Sequence, residues 1–246
     1  MTTVYLPLEG TNRLEALGNI LWSVGQKRQV KIECSQGVAK HSHFVFRPSG
    51  EVRLDGRLID EMSKALSDSG LDHIGLDISS PAIHPEDCKT LAGIEKISLL
   101  KLDDSEKSKS FVKALNGKNL TVAMINCDTA NAGRFSEIMR ELTKCKSLKC
   151  LSIDARKFVD PNVGKIALDS LSKIEGLVLL DLYSKPQTLD SFSGLGRLKS
   201  LRWLDVTCPT SGGKPCVLED VQKSLPGIDV LLRDAENHII EQKLGK

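Results

Sequence analysis

The sequence predicts an α/β chain in which short parallel strands alternate with helices or turns, as one continuous domain over residues 1–246. Three observations lead there. Seven six-residue segments fit one pattern, apolar-x-x-apolar-x-apolar. The stretches between them place apolar residues three and four apart, the period of a helix with one buried face. Composition agrees: leucine is about one residue in seven while aromatics make up 4%. That supply suits a narrow aliphatic layer better than an aromatic-lined cavity.

The strands come first. The seven segments are LDHIGL (71–76), ISLLKL (97–102), LTVAMI (120–125), LKCLSI (148–153), LVLLDL (177–182), LRWLDV (201–206) and LPGIDV (225–230), with starts 26, 23, 28, 29, 24 and 24 residues apart. A unit of about 25 residues cannot bury its own apolar face, but stacked neighbours can. Residues 1–70 continue the rhythm weakly through Val4-x-Leu6, Val30-x-Ile32 and Val52-x-Leu54, as divergent units or a cap. The helices are expected over 11–24, 58–69, 132–144 and 163–174; the last two carry Phe135, Ile138, Met139 and Leu142, then Val163, Ile166, Leu171 and Ile174. Residues 35–50 lack a helical period, and Gly37, Pro48 and Gly50 predict a loop. The tail at 235–246 offers Ile239, Ile240 and Leu244 to cover the last strand, whose open edge would invite aggregation.

These segments resemble the leucine-rich-repeat family over residues 71–230, about two-thirds of the chain. The resemblance implies a ribonuclease-inhibitor-like horseshoe: a solenoid with parallel strands on the concave side and helices on the convex side. One departure from the family pattern is plain. The Asn or Cys that the family carries three residues after the last apolar position is replaced by Ser79, Ser105, Asp128, Arg156, Lys185 and Pro209.

With the paired apolar positions turned inward, period-two alternation sends the residues between and beside them to the other, concave face. An apolar stripe is expected there through Leu99, Val122, Met124, Leu179, Tyr183 and Trp203, with Tyr183 and Trp203 in neighbouring units. Aspartates flank it: Asp77, Asp103, Asp154, Asp181, Asp205 and Asp229. One place further along, Ile78, Cys127, Ala155, Ser184 and Cys208 turn inward again, which makes those cysteines structural. Exposed leucines with a tryptophan mark an interaction surface, and Trp and Tyr are favoured anchors. The alternative is that loops cover the stripe, or that the aspartates are only a solvated row.

The remaining chemistry is excluded by spacing. His73 and Cys150 would sit three strands apart, about 14 Å, so they form no dyad. His41 and His43 have no third ligand nearby, and no CxxC pair exists, so neither a metal site nor a cofactor is expected. SGGKPC (211–216) lacks the spacing of a phosphate-binding loop, and GLGRLKS (194–200) lacks the third glycine of a dinucleotide fingerprint. Asp103 and Asp104, adjacent on a strand, point to opposite faces and cannot act as an acid/base couple. A net charge of +2 and the acidic row argue against nucleic acid. The seven cysteines, odd in number and irregularly spaced, fit free thiols in the cytoplasm. No signal peptide or membrane-spanning run is read, so no membrane partner is expected.

The function expected from residues and resemblance together is protein binding without catalysis. The module would be an adaptor, an inhibitor or an effector delivered into a host cell. It would be monomeric by itself and bind a basic, apolar protein partner through Leu99, Val122, Met124, Leu179, Asp181, Tyr183, Trp203 and Asp205. Two alternatives remain: a structural subunit of a larger assembly docking through its convex or N-terminal surface, and an enzyme with an unfamiliar site.

Overall fold

Seven of the strands begin within a few residues of the segments picked out by their leucine spacing, and within each of two units consecutive ones pair in parallel. The computed structural model describes residues 2–5, 44–48, 57, 60, 63–64, 74–79, 83–95, 97–128, 131–158, 162–234 and 238–243. The architecture is α/β with a mostly parallel sheet. The chain divides into two compact units, residues 1–102 with 106–115, and residues 103–105 with 116–246.

In the first unit, β1 (Thr2–Tyr5) pairs antiparallel with β2 (Phe44–Pro48), which pairs parallel with β3 (Ile74–Asp77), and β3 parallel with β4 (Ile97–Asp103). The β2 strand falls where a loop was expected. Phe44, Val45 and Phe46 are aromatic and β-branched residues that favour a strand, and Pro48 stands at its end, where a missing N–H is tolerated. Of the helix expected over 58–69, Asp60, Ser63 and Lys64 are described, and all are helical. The expected helix over 11–24 and the strands around 30–32 and 52–54 lie outside the described residues. A 3-10 turn (Pro85–Asp87), helix α1 (Cys88–Leu91) and helix α2 (Glu106–Leu115) pack on one another. Helix α2 was missed because its lysines and serines dilute the apolar period, yet Phe111, Val112 and Leu115 are buried. Its end is marked by left-handed Asn116 and Gly117, φ 47° and 76°, a common helix stop.

The second unit carries β5 (Val122–Asn126), β6 (Cys150–Asp154), β7 (Leu179–Tyr183), β8 (Trp203–Thr207) and β11 (Asp229–Arg233), each parallel to its predecessor in that series. A small hairpin, β9 (Thr210–Ser211) and β10 (Lys214–Pro215), lies between β8 and β11 in the chain. The tail forms β12 (Ile239–Lys243), antiparallel to β11, and so covers the last parallel strand as expected. It does so with backbone rather than side chains: Ile239 and Ile240 are 56% and 52% exposed.

Between strands run α3 (Ala132–Leu142), α4 (Asn162–Leu171), a 3-10 segment (Leu189–Arg197) and α5 (Leu218–Ser224), each packed on the next. Asn131 caps α3, its side-chain oxygen accepting from the Arg134 N–H at 2.9 Å. The Asn131 N–H donates in turn to buried Asp104 at 2.9 Å. Parallel crossovers are right-handed almost without exception. In this unit the strands never reverse their order, so by that rule its crossovers share one side of the sheet, unlike a doubly wound fold.

Burial follows that logic. Ala123, Ile125, Leu151, Ile153, Leu180, Leu182, Leu204, Val206, Val230 and Leu232 all point to one face and are at most 2% exposed. The core extends backward into the preceding turns at intervals of three: Leu142, Cys145, Leu148, Leu151; then Leu171, Ile174, Leu177, Leu180; then Leu195, Leu198, Leu201, Leu204. In each set the second N–H bonds to the first carbonyl, and the third to the second. Past the strands, Cys127, Ala155 and Cys208 are buried as expected, each donating its N–H to the last residue of the following strand, at 2.9, 2.6 and 2.7 Å.

Two registers differ from those implied by the segment pattern. Asp229 pairs with Trp203 and Leu231 with Asp205, and Leu76 pairs with Leu100, so the outermost segments are each offset by two residues. The left-handed turn at Gly227, φ 79°, starts β11 later than the pattern would. A two-residue offset keeps every side chain on its expected face.

Candidate functional site

On the second face of the β5–β8 sheet most side chains are half-buried, although Asp205 and Thr207 are buried and Asn126 is exposed. Its residues line up across strands in rows. Val122, Cys150, Leu179 and Trp203 stand opposite one another, and Asp229 extends the row. The next row is Met124, Ser152, Asp181, Asp205 and Leu231. A third begins Asn126, Asp154 and Tyr183. Facing side chains on adjacent strands are close enough to interact directly.

The rows sort by chemistry along the strands. The first is apolar at its centre, with Val122, Cys150, Leu179 and Trp203 all half-buried. The third is polar. Tyr183 and Trp203 therefore lie on neighbouring strands but at opposite ends, about 13 Å apart along the strand direction, rather than in one stripe. Leu99 must be removed from the surface altogether. It belongs to the first unit, pairs with Gly75 and is 4% exposed.

The aspartates are not a solvated row either. At three strand ends the carboxylate accepts the N–H two residues on, turning the chain out of the sheet: Asp77 from Ser79 at 3.0 Å, Asp103 from Ser105 at 3.2 Å, Asp154 from Arg156 at 3.3 Å. Such Asx turns are a standard use of aspartate. Asp77 also pairs with Lys101 at 3.5 Å. Asp205 is 4% exposed and fully engaged. Arg233 Nε donates to its two oxygens at 2.8 and 3.0 Å, Arg233 Nη2 donates at 2.8 Å, and the Tyr183 hydroxyl donates at 3.1 Å. It is an internal anchor rather than a group presented to a partner.

Neither Arg156 nor Arg233 was read from the sequence as a site residue, yet they organise the polar end. Arg156 grips Asp154 through Nε at 2.9 Å and Nη2 at 2.6 Å. The two guanidinium carbons stand 6.0 and 5.6 Å from the Tyr183 ring centroid, within reach of cation–π attraction. Hydrogen bonding from Arg156 holds the Asp154 carboxyl below its usual range. Burial pushes the Tyr183 phenol up, with Asp181 and Asp205 adding to the effect, so it stays a neutral donor.

Asp181 is different. It sits mid-face between Leu179 and Tyr183 on its own strand and between Ser152 and Asp205 across strands. Burial, and then the neighbouring Asp205 charge, push its carboxyl up to about 6, with Arg233 partly offsetting them. Cys150 shares the face, but burial and Asp181 push its thiol up, opposite to what a nucleophilic thiolate needs. His73, His41 and His43 lie outside the described residues. No helix among the described residues is long and apolar enough to cross a membrane.

Comparison with family models and with curated proteins found no match.

Proposed function

We propose that the chain is a protein-interaction module, a leucine-rich-repeat-like solenoid without catalytic chemistry, whose partner docks on the second face of the β5–β8 sheet. The observation that carries this reading is the in-register row of half-buried Val122, Cys150, Leu179 and Trp203. All-parallel sheets are ordinarily covered on both faces, because both are apolar. A parallel sheet with one fully buried face and one half-buried apolar row therefore suits a second layer supplied by another protein. Trp203 would be the main anchor and Leu179 its neighbour, while Met124, Tyr183 and Asp181 border them. Docking in the cytoplasm of the chain's own or a host cell fits the free, mostly buried thiols.

Position-specific photocrosslinking in cells tests the reading. A photoreactive residue replacing Ser152, on the face, captures a partner that the same residue replacing Lys165, exposed on α4, does not. Capture from Lys165 alone would instead favour an assembly subunit docked through its helices.

A further inference from the structure

We propose that the middle of this face receives one basic side chain of the partner, a lysine or arginine carried on an apolar segment, with Asp181 as its ionic acceptor. This rests on the docking reading above and deepens it.

The argument is one of occupancy. Asp154 is matched by Arg156, and Asp205 by Arg233 and the Tyr183 hydroxyl. Both arginines are held by two nitrogens each, or by one nitrogen bridging two oxygens, and stacked against Tyr183, so neither is available to turn toward Asp181 without breaking its own pair. Asp181 itself has no hydrogen bond or ion pair among the described residues. The five charges of this block therefore sum to a single negative charge centred on Asp181.

Its surroundings define the complement. Leu179 lies two residues back on the same strand, and Trp203 stands directly across from Leu179. A lysine or arginine stem can lie along this apolar row with its head at Asp181. The Trp203 ring adds a cation–π surface. An uncharged apolar segment would bury the carboxylate with no partner, which is costly. An acidic segment would add a like charge. A basic group on an apolar segment meets both halves of the face.

Protonation should report the contact. The charged and titratable groups facing Asp181 are Cys150 and Asp154 on β6, Tyr183 on β7, Asp205 on β8, Asp229 and Arg233 on β11 and Arg156 beyond β6. Cys150 and Tyr183 are pushed up and Asp154 is held down, away from the range in which Asp181 titrates near 6. At pH 5 roughly one Asp181 in ten would be ionised, so a basic ligand should bind about tenfold more weakly than at pH 7.

The test is selection of random linear peptides against the full chain, followed by affinity measurement with synthetic leads. The expected leads carry Lys or Arg beside apolar residues and lose about tenfold affinity from pH 7 to 5. They should also lose tenfold or more on Asp181→Asn, with the pH dependence gone. Replacing the lead's lysine by norleucine should cost the same and leave Asp181→Asn without further effect, a coupling that does not depend on how the variant folds. Leads weakened by Trp203→Ala, yet binding Asp181→Asn as tightly as the native chain and equally at both pH values, would overturn the basic acceptor while leaving the docking face in place. A selection that returns no peptide sensitive to Trp203→Ala would count against both.

Discussion

Replacing Asp181 by Asn should make the protein more stable at neutral pH. Folding moves this carboxyl from its usual 3.8 to about 6, chiefly by burial and by Asp205. The native state thus holds the proton more tightly than the unfolded chain does. Between those two values the native state binds more protons, so stability falls as pH rises; the penalty is absent below about 3.8 and complete above about 6. At about 1.4 kcal/mol for each pH unit, the ceiling is about 3 kcal/mol. Water reaching the half-buried group reduces it, and about 1–3 kcal/mol is the expected gain for Asn at pH 7.5. For a chain of this size that is a rise in Tm of roughly 2–10 °C. Thermal and urea unfolding of both proteins from pH 4 to 8 provide the assay. The difference between the two proteins should be small near pH 4, open between pH 4 and 6 and stay constant above pH 6, while groups common to both proteins cancel. Equal stability of the two proteins at pH 7.5, or an advantage of the variant no larger at pH 7.5 than at pH 4, would refute the argument. A carboxylate retained at such a cost is the pattern expected of a functional group.

Three further substitutions probe the framework. Arg233→Met leaves buried Asp205 with only the Tyr183 hydroxyl, and should destabilise by about 3–5 kcal/mol. Adding Asp205→Leu to it should recover much of that loss in urea unfolding. Asp104→Ala removes the acceptor of the Asn131 N–H that fixes the start of α3, and should cost about 1–3 kcal/mol, with early hydrogen exchange in the first turn of that helix.

Leucine periodicity made the parallel strands and their inward faces legible, because one buried face needs apolar residues two apart along every strand. It even placed Cys127, Ala155 and Cys208 inside. What it hid was the remainder of the same rhythm: the three-residue steps through Leu142, Cys145 and Leu148 lie in turns, where neither a helix nor a strand period applies. Strand β2 was masked by flanking Gly and Pro residues, although Phe44-Val45-Phe46 carries its own β signal. At the site, the face was readable but its chemistry was not. Alternation names the side of Asp205 and Asp154, not their partners. Arg233 lies 28 residues from Asp205, and only parallel pairing brings them together. The Asp-x-Ser and Asp-x-Arg spacing at 77–79, 103–105 and 154–156 did carry a turn signal. Reading it would have assigned three of the flanking aspartates to turns at once.

The most direct test of the docking face is affinity for the partner captured through Ser152, measured with the Trp203→Ala, Leu179→Ala double variant. Both side chains are half-buried at their own face, so native Tm should fall only modestly. Anchors of this kind contribute on the order of 2–4 kcal/mol together, about a 30- to 1000-fold loss of affinity. Affinity unchanged in a double variant that still folds would contradict the account.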